Sequence, residues 1–251
     1  MQIRQLALIL IVSMLFAPTA FAVAPNIEMV FVKGGCYQMG DTFGDGSLDA
    51  KPVHRVCVND FSIGKYPVTQ AQWQAVMGVN PSISKLCGDN CPVETVNYDD
   101  ALRFIDKLNG LTGKKYRLPY ESEWEYAARS GGRPERWAGT SNRNELEDYA
   151  WFADNSQQTT HPVGLKKPNG LGIYDMSGNV WEWCNDWYGE KYYSESPVQN
   201  PHGPSSGPAR VLRGGSWYNQ AGIVRADFRG YLVPAYRNFY YGFRLVLPAV
   251  Q

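Results

Sequence analysis

The sequence predicts an α+β fold with little regular secondary structure. Helical signals are confined to the N-terminal half. From Trp151 onward the chain alternates short extended pieces with Gly, Pro and Asn turns. Its 8 Trp, 16 Tyr and 25 Gly suit loops plugged by aromatic rings better than a helical bundle.

Residues 1–22 have the layout of a cleavable signal peptide. Arg4 is a short positive start, Leu6 to Phe16 is apolar, and Ala20-Phe21-Ala22 is a small-x-small cleavage site. The apolar run is shorter than the about 20 residues that span a bilayer. No cysteine near the cleavage point supports a lipid anchor, and no later stretch is apolar enough to span. The expectation is export to the periplasm, cell surface or medium, with no membrane span in the mature form. Residues 23–251 are expected to form a single domain, because no linker or charge run divides them.

The first strand is Met29 to Lys33, an alternating β-rich run ended by Gly34-Gly35. An acidic, Gly-containing loop covers Asp41 to Lys51, and further strand is expected over Val53 to Val58 and Phe61 to Ile63. Thr69 caps a short helix, Gln70 to Met77, which Gly78 stops. Asn97 caps a second, in which Ala101, Phe104, Ile105 and Leu108 share one apolar face. A third runs from Glu121 to Arg129 and ends at Gly131-Gly132. Glu121, Glu123 and Glu125 are placed on different faces of that helix, as a solvent face plus a buried salt bridge to an arginine such as Arg117.

Net charge is zero, from 24 basic and 24 acidic residues, which argues against a nucleic-acid surface. Export keeps disulfides oxidised. Cys36 and Cys57 lie in strand-like runs that can be neighbours, and Cys87 and Cys91 close a tight loop. The expected pairs are Cys36–Cys57 and Cys87–Cys91, with Cys184 free and buried. A zinc site is disfavoured, because the cysteine spacing does not repeat and His54, His161 and His202 are scattered.

An ordered set of phrases runs through the chain: FSIGKYPVT at 61–69, PVETVNYDDA at 92–101, YRLPYESEWEYAAR at 116–129, NGLGIYDMSGNVWEW at 169–183, RVLRGGSW at 210–217 and GFR at 242–244. Together they resemble the formylglycine-generating enzyme, or sulfatase-modifying factor, family over roughly residues 27–247. The resemblance implies a C-type-lectin-like variant fold held by Gly, Trp and bound calcium. Matched residue by residue, it assigns calcium to the carboxylates of Asp175 and Glu182 and the carbonyls of Gly178 and Val180, a partial set for an ion that takes 6–8 oxygens. A loop held by hydrogen bonds alone is the other reading of this stretch. Tyr120 stands where the family has Thr before the third helix, so the helix start is expected to use Ser122.

The resemblance also implies what is missing. Family oxidases are similar to copper enzymes whose metal sits between two cysteines soon after the Gly-Gly-Ser phrase, thiolates being suited to Cu(I). Here Trp217 to Val224 reads WYNQAGIV and no cysteine follows Cys184, so no copper and no catalytic residue are expected. The tail resembles the variable proteins of diversity-generating retroelements, which share this fold and vary a C-terminal segment ending in Gly-Phe-Arg. Arg225, Arg229, Pro234, Arg237 and Arg244 look fixed. The places between them are rich in Tyr and Phe mixed with small polar residues, the chemistry of a paratope. The candidate ligand-binding segment is about 210–247, with Trp217, Tyr218, Asn219, Gln220, Ile223, Asp227, Phe228, Tyr231, Leu232, Tyr236, Asn238, Phe239 and Tyr240 as contacts. The expectation is a non-catalytic module for an extracellular or periplasmic protein or glycan. The alternative is a formylglycine-generating oxidase acting on a sulfatase-type cysteine.

Overall fold

The structure, a computed structural model, describes residues 24–249. The expected signal peptide therefore lies outside the described residues. Among the described residues, nine strands and four α-helices alternate with long irregular segments. Strands β1 (Met29–Val32), β4 (Phe61–Gly64) and β9 (Val246–Pro248) form one antiparallel sheet in the order β1-β4-β9. Strands β2 (Gly35–Met39) and β3 (His54–Val58) form a hairpin. Strands β5 (Trp181–Trp187), β6 (Arg210–Arg213), β7 (Gly230–Leu232) and β8 (Tyr241–Gly242) form a mixed sheet, β7-β6-β5-β8, in which only β5 and β8 are parallel. No described helix is long and apolar enough to cross a membrane.

Helix α1 (Gln70–Met77) begins with a reciprocal cap. Thr69 Oγ1 accepts from the Gln72 N–H, and the Gln72 side chain accepts from the Thr69 N–H. Gly78 ends it in the left-handed conformation. Asn97 and Asp100 make the same box for α2 (Tyr98–Thr112), which buries Ala101, Phe104, Ile105 and Leu108. Trp73 of α1 stacks on Phe104 with centroids 5.4 Å apart, so the two helices meet through aromatic rings. Both predicted disulfides are present, Cys36–Cys57 across the hairpin and Cys87–Cys91 in its loop, and Cys184 is free and buried.

Helix α3 (Glu121–Ala128) departs from expectation at both ends of its argument. Ser122 is not its cap, because the Ser122 hydroxyl donates to the Pro201 carbonyl. Glu123 accepts the Tyr120 N–H at 2.9 Å, and Asp186 accepts the Glu121 N–H at 2.8 Å. Glu123 does pair with Arg117. Glu121 and Glu125, however, are fully buried. At i and i+4 they share a face, and both turn inward onto arginines. Arg229 donates to both oxygens of Glu121, at 2.8 and 3.0 Å. Arg213 donates to Glu125 at 2.5 Å, with Glu121 3.5 Å away, and Arg129 lies 3.0 Å from Glu125. Burial opposes the Glu121 charge, but Arg229 and Arg213 outweigh it and hold the carboxyl below its ordinary range. Asp186 goes the other way: burial, then the charge of Glu121, push its carboxyl well up.

These pairs fasten the C-terminal segment to the body. The arginines that read as fixed are its rivets. Arg225 binds Asp41, Asp45 and Asp227; Arg229 binds Glu121; Arg237 binds Asp100; Arg244 binds Glu182. Pro234 offers its carbonyl to the Tyr98 N–H at the start of α2. The segment between the rivets is thereby tied to the body, together with its strands β7 and β8.

Candidate functional site

The segment after Gly214-Gly215 leaves β6 and folds over a second loop, 152–161. Trp217 is buried: its N–H bonds the Asn179 carbonyl, its own carbonyl accepts from Ser156 Oγ, and its ring stacks on Phe239 with centroids 5.9 Å apart. Tyr218 stands up from it, 60% exposed, beside Tyr240 at 5.3 Å. Asn219 Oδ1 accepts from the Ser216 N–H and hydroxyl, which closes the turn that presents Tyr218 and Gln220. Between this turn and the second loop lies an open cleft of about 540 Å³, lined by Ala153, Ser156, Gln158, Trp217, Tyr218, Asn219, Gln220 and Ile223. That is within the size range of small-ligand sites.

The structure gathers Trp217, Tyr218, Asn219, Gln220, Ile223, Phe239 and Tyr240 at or beside this cleft. Tyr236 continues the same aromatic surface through Tyr241, 6.2 Å away, with Asn238 accepting, through its carbonyl, the Tyr241 N–H. Other expected contacts are elsewhere. Asp227 is 1% exposed and paired with Arg225, so it serves the scaffold. Phe228 and Leu232 pack on the core around α2, Phe228 against Trp181. Tyr231 is exposed but stacks on Tyr188, 4.0 Å away at the edge strand β7.

Ala153, Ser156 and Gln158 are cleft residues that sequence reasoning missed. Their loop is pinned from below. His161 stacks on Trp151 at 3.7 Å and bonds the Ser156 carbonyl, while Asn179 holds both backbone groups of His161. Gln157 and Gln158 both take left-handed φ values, 54° and 57°, a turn usually announced by glycine, so the sequence carried no signal for it.

Both carboxylates assigned to calcium are taken up by donors of the protein itself. Glu182 accepts from Arg244 through both oxygens, at 2.6 and 2.7 Å, and from Trp124 Nε1 at 2.7 Å. Asp175 accepts from the Gly164 N–H and from Asn179; burial pushes its carboxyl up to about 6. The cation beside Glu182 is the Arg244 guanidinium. No cluster of three or more His, Cys, Asp or Glu is placed for a metal among the described residues. Melting curves of metal-free protein with and without calcium are expected to superimpose. A bound ion at a hundredfold excess over its dissociation constant would add about 2.7 kcal/mol, a rise of roughly 5–10 °C, and such a rise would show that Arg244 yields to calcium.

The comparisons with known proteins agree with this architecture. The sulfatase-modifying factor enzyme 1-like domain matches residues 17–249. The formylglycine-generating enzyme of Streptomyces coelicolor is 33% identical over 75% of this chain and 78% of its own length. Among solved structures, Treponema denticola variable protein 1 is 34% identical and superimposes with a TM-score of 0.81, covering 88% of this chain and 94% of its own. PvdO from Pseudomonas aeruginosa is 27% identical, with a TM-score of 0.76 over the same shares. The α+β, C-type-lectin-like arrangement is thus that of the formylglycine-generating enzyme fold, and the chain belongs to the sulfatase-modifying factor family.

Proposed function

We propose that the protein is an exported, non-catalytic binding module whose aromatic and amide cleft takes an extracellular or periplasmic protein or glycan. One observation carries this reading. The segment Trp217 to Val224, where family oxidases place their cysteine pair, here supplies Trp217, Tyr218, Asn219, Gln220 and Ile223 to an open cleft. Rigid rings with neighbouring amides give contact area and hydrogen bonds at low entropic cost. The one free thiol among the described residues, Cys184, is buried, and burial pushes its pKa well up, which opposes thiolate chemistry. Two disulfides suit an oxidising compartment, and the likeness to a variable protein fits a surface that varies between rivets.

The family scaffold itself favours the second reading, an oxidase that makes formylglycine. Protein incubated with copper and a cysteine-containing sulfatase peptide separates the two by mass spectrometry. The peptide is expected to stay unconverted, while glycan and protein arrays probed with the same preparation give saturable binding. Conversion of the cysteine to aldehyde over many turnovers would replace the binding reading with the oxidase.

A further inference from the structure

A second cleft, sharing no lining residue with the aromatic one, lies where the β2–β3 hairpin meets the end of α3. It measures about 480 Å³ and is lined by Cys36, Tyr37, Gln38, Thr42, Arg55, Arg129, Gly132, Arg133 and Pro134. Three arginines and no carboxylate face it. We propose that this cleft binds a tetrahedral oxyanion, a phosphate or sulfate group carried on a larger molecule, between Arg55 and Arg133.

The arginine pairing in this protein makes the two side chains stand out. Among the described residues, Arg103, Arg117, Arg129, Arg136, Arg143, Arg213, Arg225, Arg229, Arg237 and Arg244 each hold a carboxylate. Arg210 lies over the Trp187 ring at 3.5 Å. Arg55 and Arg133 have no carboxylate partner among the described residues, and both line the same cleft. Both are exposed, so a ligand can reach them. Arg55 sits on the outer face of the hairpin, opposite Gln38 in register, which sets a guanidinium and an amide side by side. Arg133 follows the Gly131-Gly132 turn. Gly132 has φ +83°, and a Cβ there would lie 2.4 Å from Tyr37 Cβ. Only glycine brings the chain that close, and the approach holds Arg133 next to the hairpin.

The floor adds a third guanidinium, which is fixed in place by its own partners. Arg129 is 1% exposed and donates to Thr42 Oγ1 at 3.0 Å and to the Gly40 carbonyl at 2.7 Å. Accepting that bond leaves the Thr42 hydroxyl proton free to donate. Behind it, Arg129 and Arg213 pair with Glu125, and Arg229 pairs with Glu121. Guanidinium forks match the oxygens of phosphate and sulfate, and the volume exceeds that of the bare ion, which leaves room for its carrier.

The test follows backbone amide NMR shifts of labelled protein titrated, at matched ionic strength, with inorganic phosphate, inorganic sulfate, glucose 6-phosphate, glucose 6-sulfate and acetate. Saturable shifts confined to Gln38, Thr42, Arg55 and Gly132–Arg133 are expected. The favoured sugar ester should bind at least about tenfold tighter than its bare ion, and acetate weakest. Arg55→Gln and Arg133→Gln, both at exposed positions, should each weaken binding by about tenfold or more with unchanged melting temperature. Lys107→Gln removes an exposed charge from α2 and should leave affinity unchanged. Acetate binding as well as phosphate and sulfate, non-saturating shifts, or equal losses in Lys107→Gln and the arginine variants would each overturn the proposal.

Discussion

Arg213→Ala is expected to cost about 3–5 kcal/mol, the usual consequence of stripping one partner from a buried ion pair. Domains are stable by only about 5–15 kcal/mol, so the variant should lose a large share of its stability. The side chain is wholly buried. It donates to Glu125 Oε2 at 2.5 Å and to the Ala226 and Phe228 carbonyls at 2.7 and 2.8 Å. Its removal leaves one carboxylate oxygen and two carbonyls without that donor, in a core that water does not reach. Lysine should rescue little, because one ammonium cannot span the three acceptors that the planar fork reaches. Arg213→Met combined with Glu125→Gln should recover little, since it leaves the buried Arg129, whose carboxylate is Glu125, without its counter-charge. Urea melts decide it. A loss below about 1 kcal/mol for Arg213→Ala would mean that the network does not hold the C-terminal segment.

That network also marks where sequence reading stopped. Caps such as Thr69–Gln72 and Asn97–Asp100 are local, so α1 and the start and apolar face of α2 were legible. The disulfides followed from two strand-like runs and one short loop. Glu121 and Glu125 were misread because their partners, Arg229 and Arg213, stand 108 and 88 residues away, and an acidic helix without a visible partner looks solvated. Strand β5 was missed for another reason. Its WEWCNDW run is buried on both faces and lacks the alternation that announces a half-buried strand. The calcium assignment came from resemblance alone, and the Arg244 partner of Glu182, 62 residues beyond it, carried no local signal. The aromatic half of the cleft was legible in the tail, and the 152–161 half was not, because a non-glycine turn forms it.

Tyr218→Ala is expected to weaken ligand binding by about 2 kcal/mol or more, roughly thirtyfold, as truncating a central aromatic anchor does. The melting temperature should stay nearly unchanged. The ring is 60% exposed and leans on Trp217 and Tyr240, 5.7 and 5.3 Å away, so little of the core depends on it; surface changes usually stay within about 0.5 kcal/mol. Trp217→Ala should behave differently. Trp217 is 6% exposed and forms the cleft floor, stacked on Phe239. Its loss should cost about 3–5 kcal/mol of stability together with the binding. Tyr231→Ala is the spatial control. That ring is 57% exposed, as open as Tyr218, yet it stacks on Tyr188 and lines no part of the cleft. Its removal should leave affinity within about twofold. The three variants, each checked by thermal melting and titrated with the ligand found on the arrays, separate contact from scaffold. Equal losses of affinity in Tyr231→Ala and Tyr218→Ala would move the binding surface to the β7 edge. Loss of affinity in Tyr218→Ala only in step with a falling melting temperature would return Tyr218 to the scaffold and leave the cleft without its anchor.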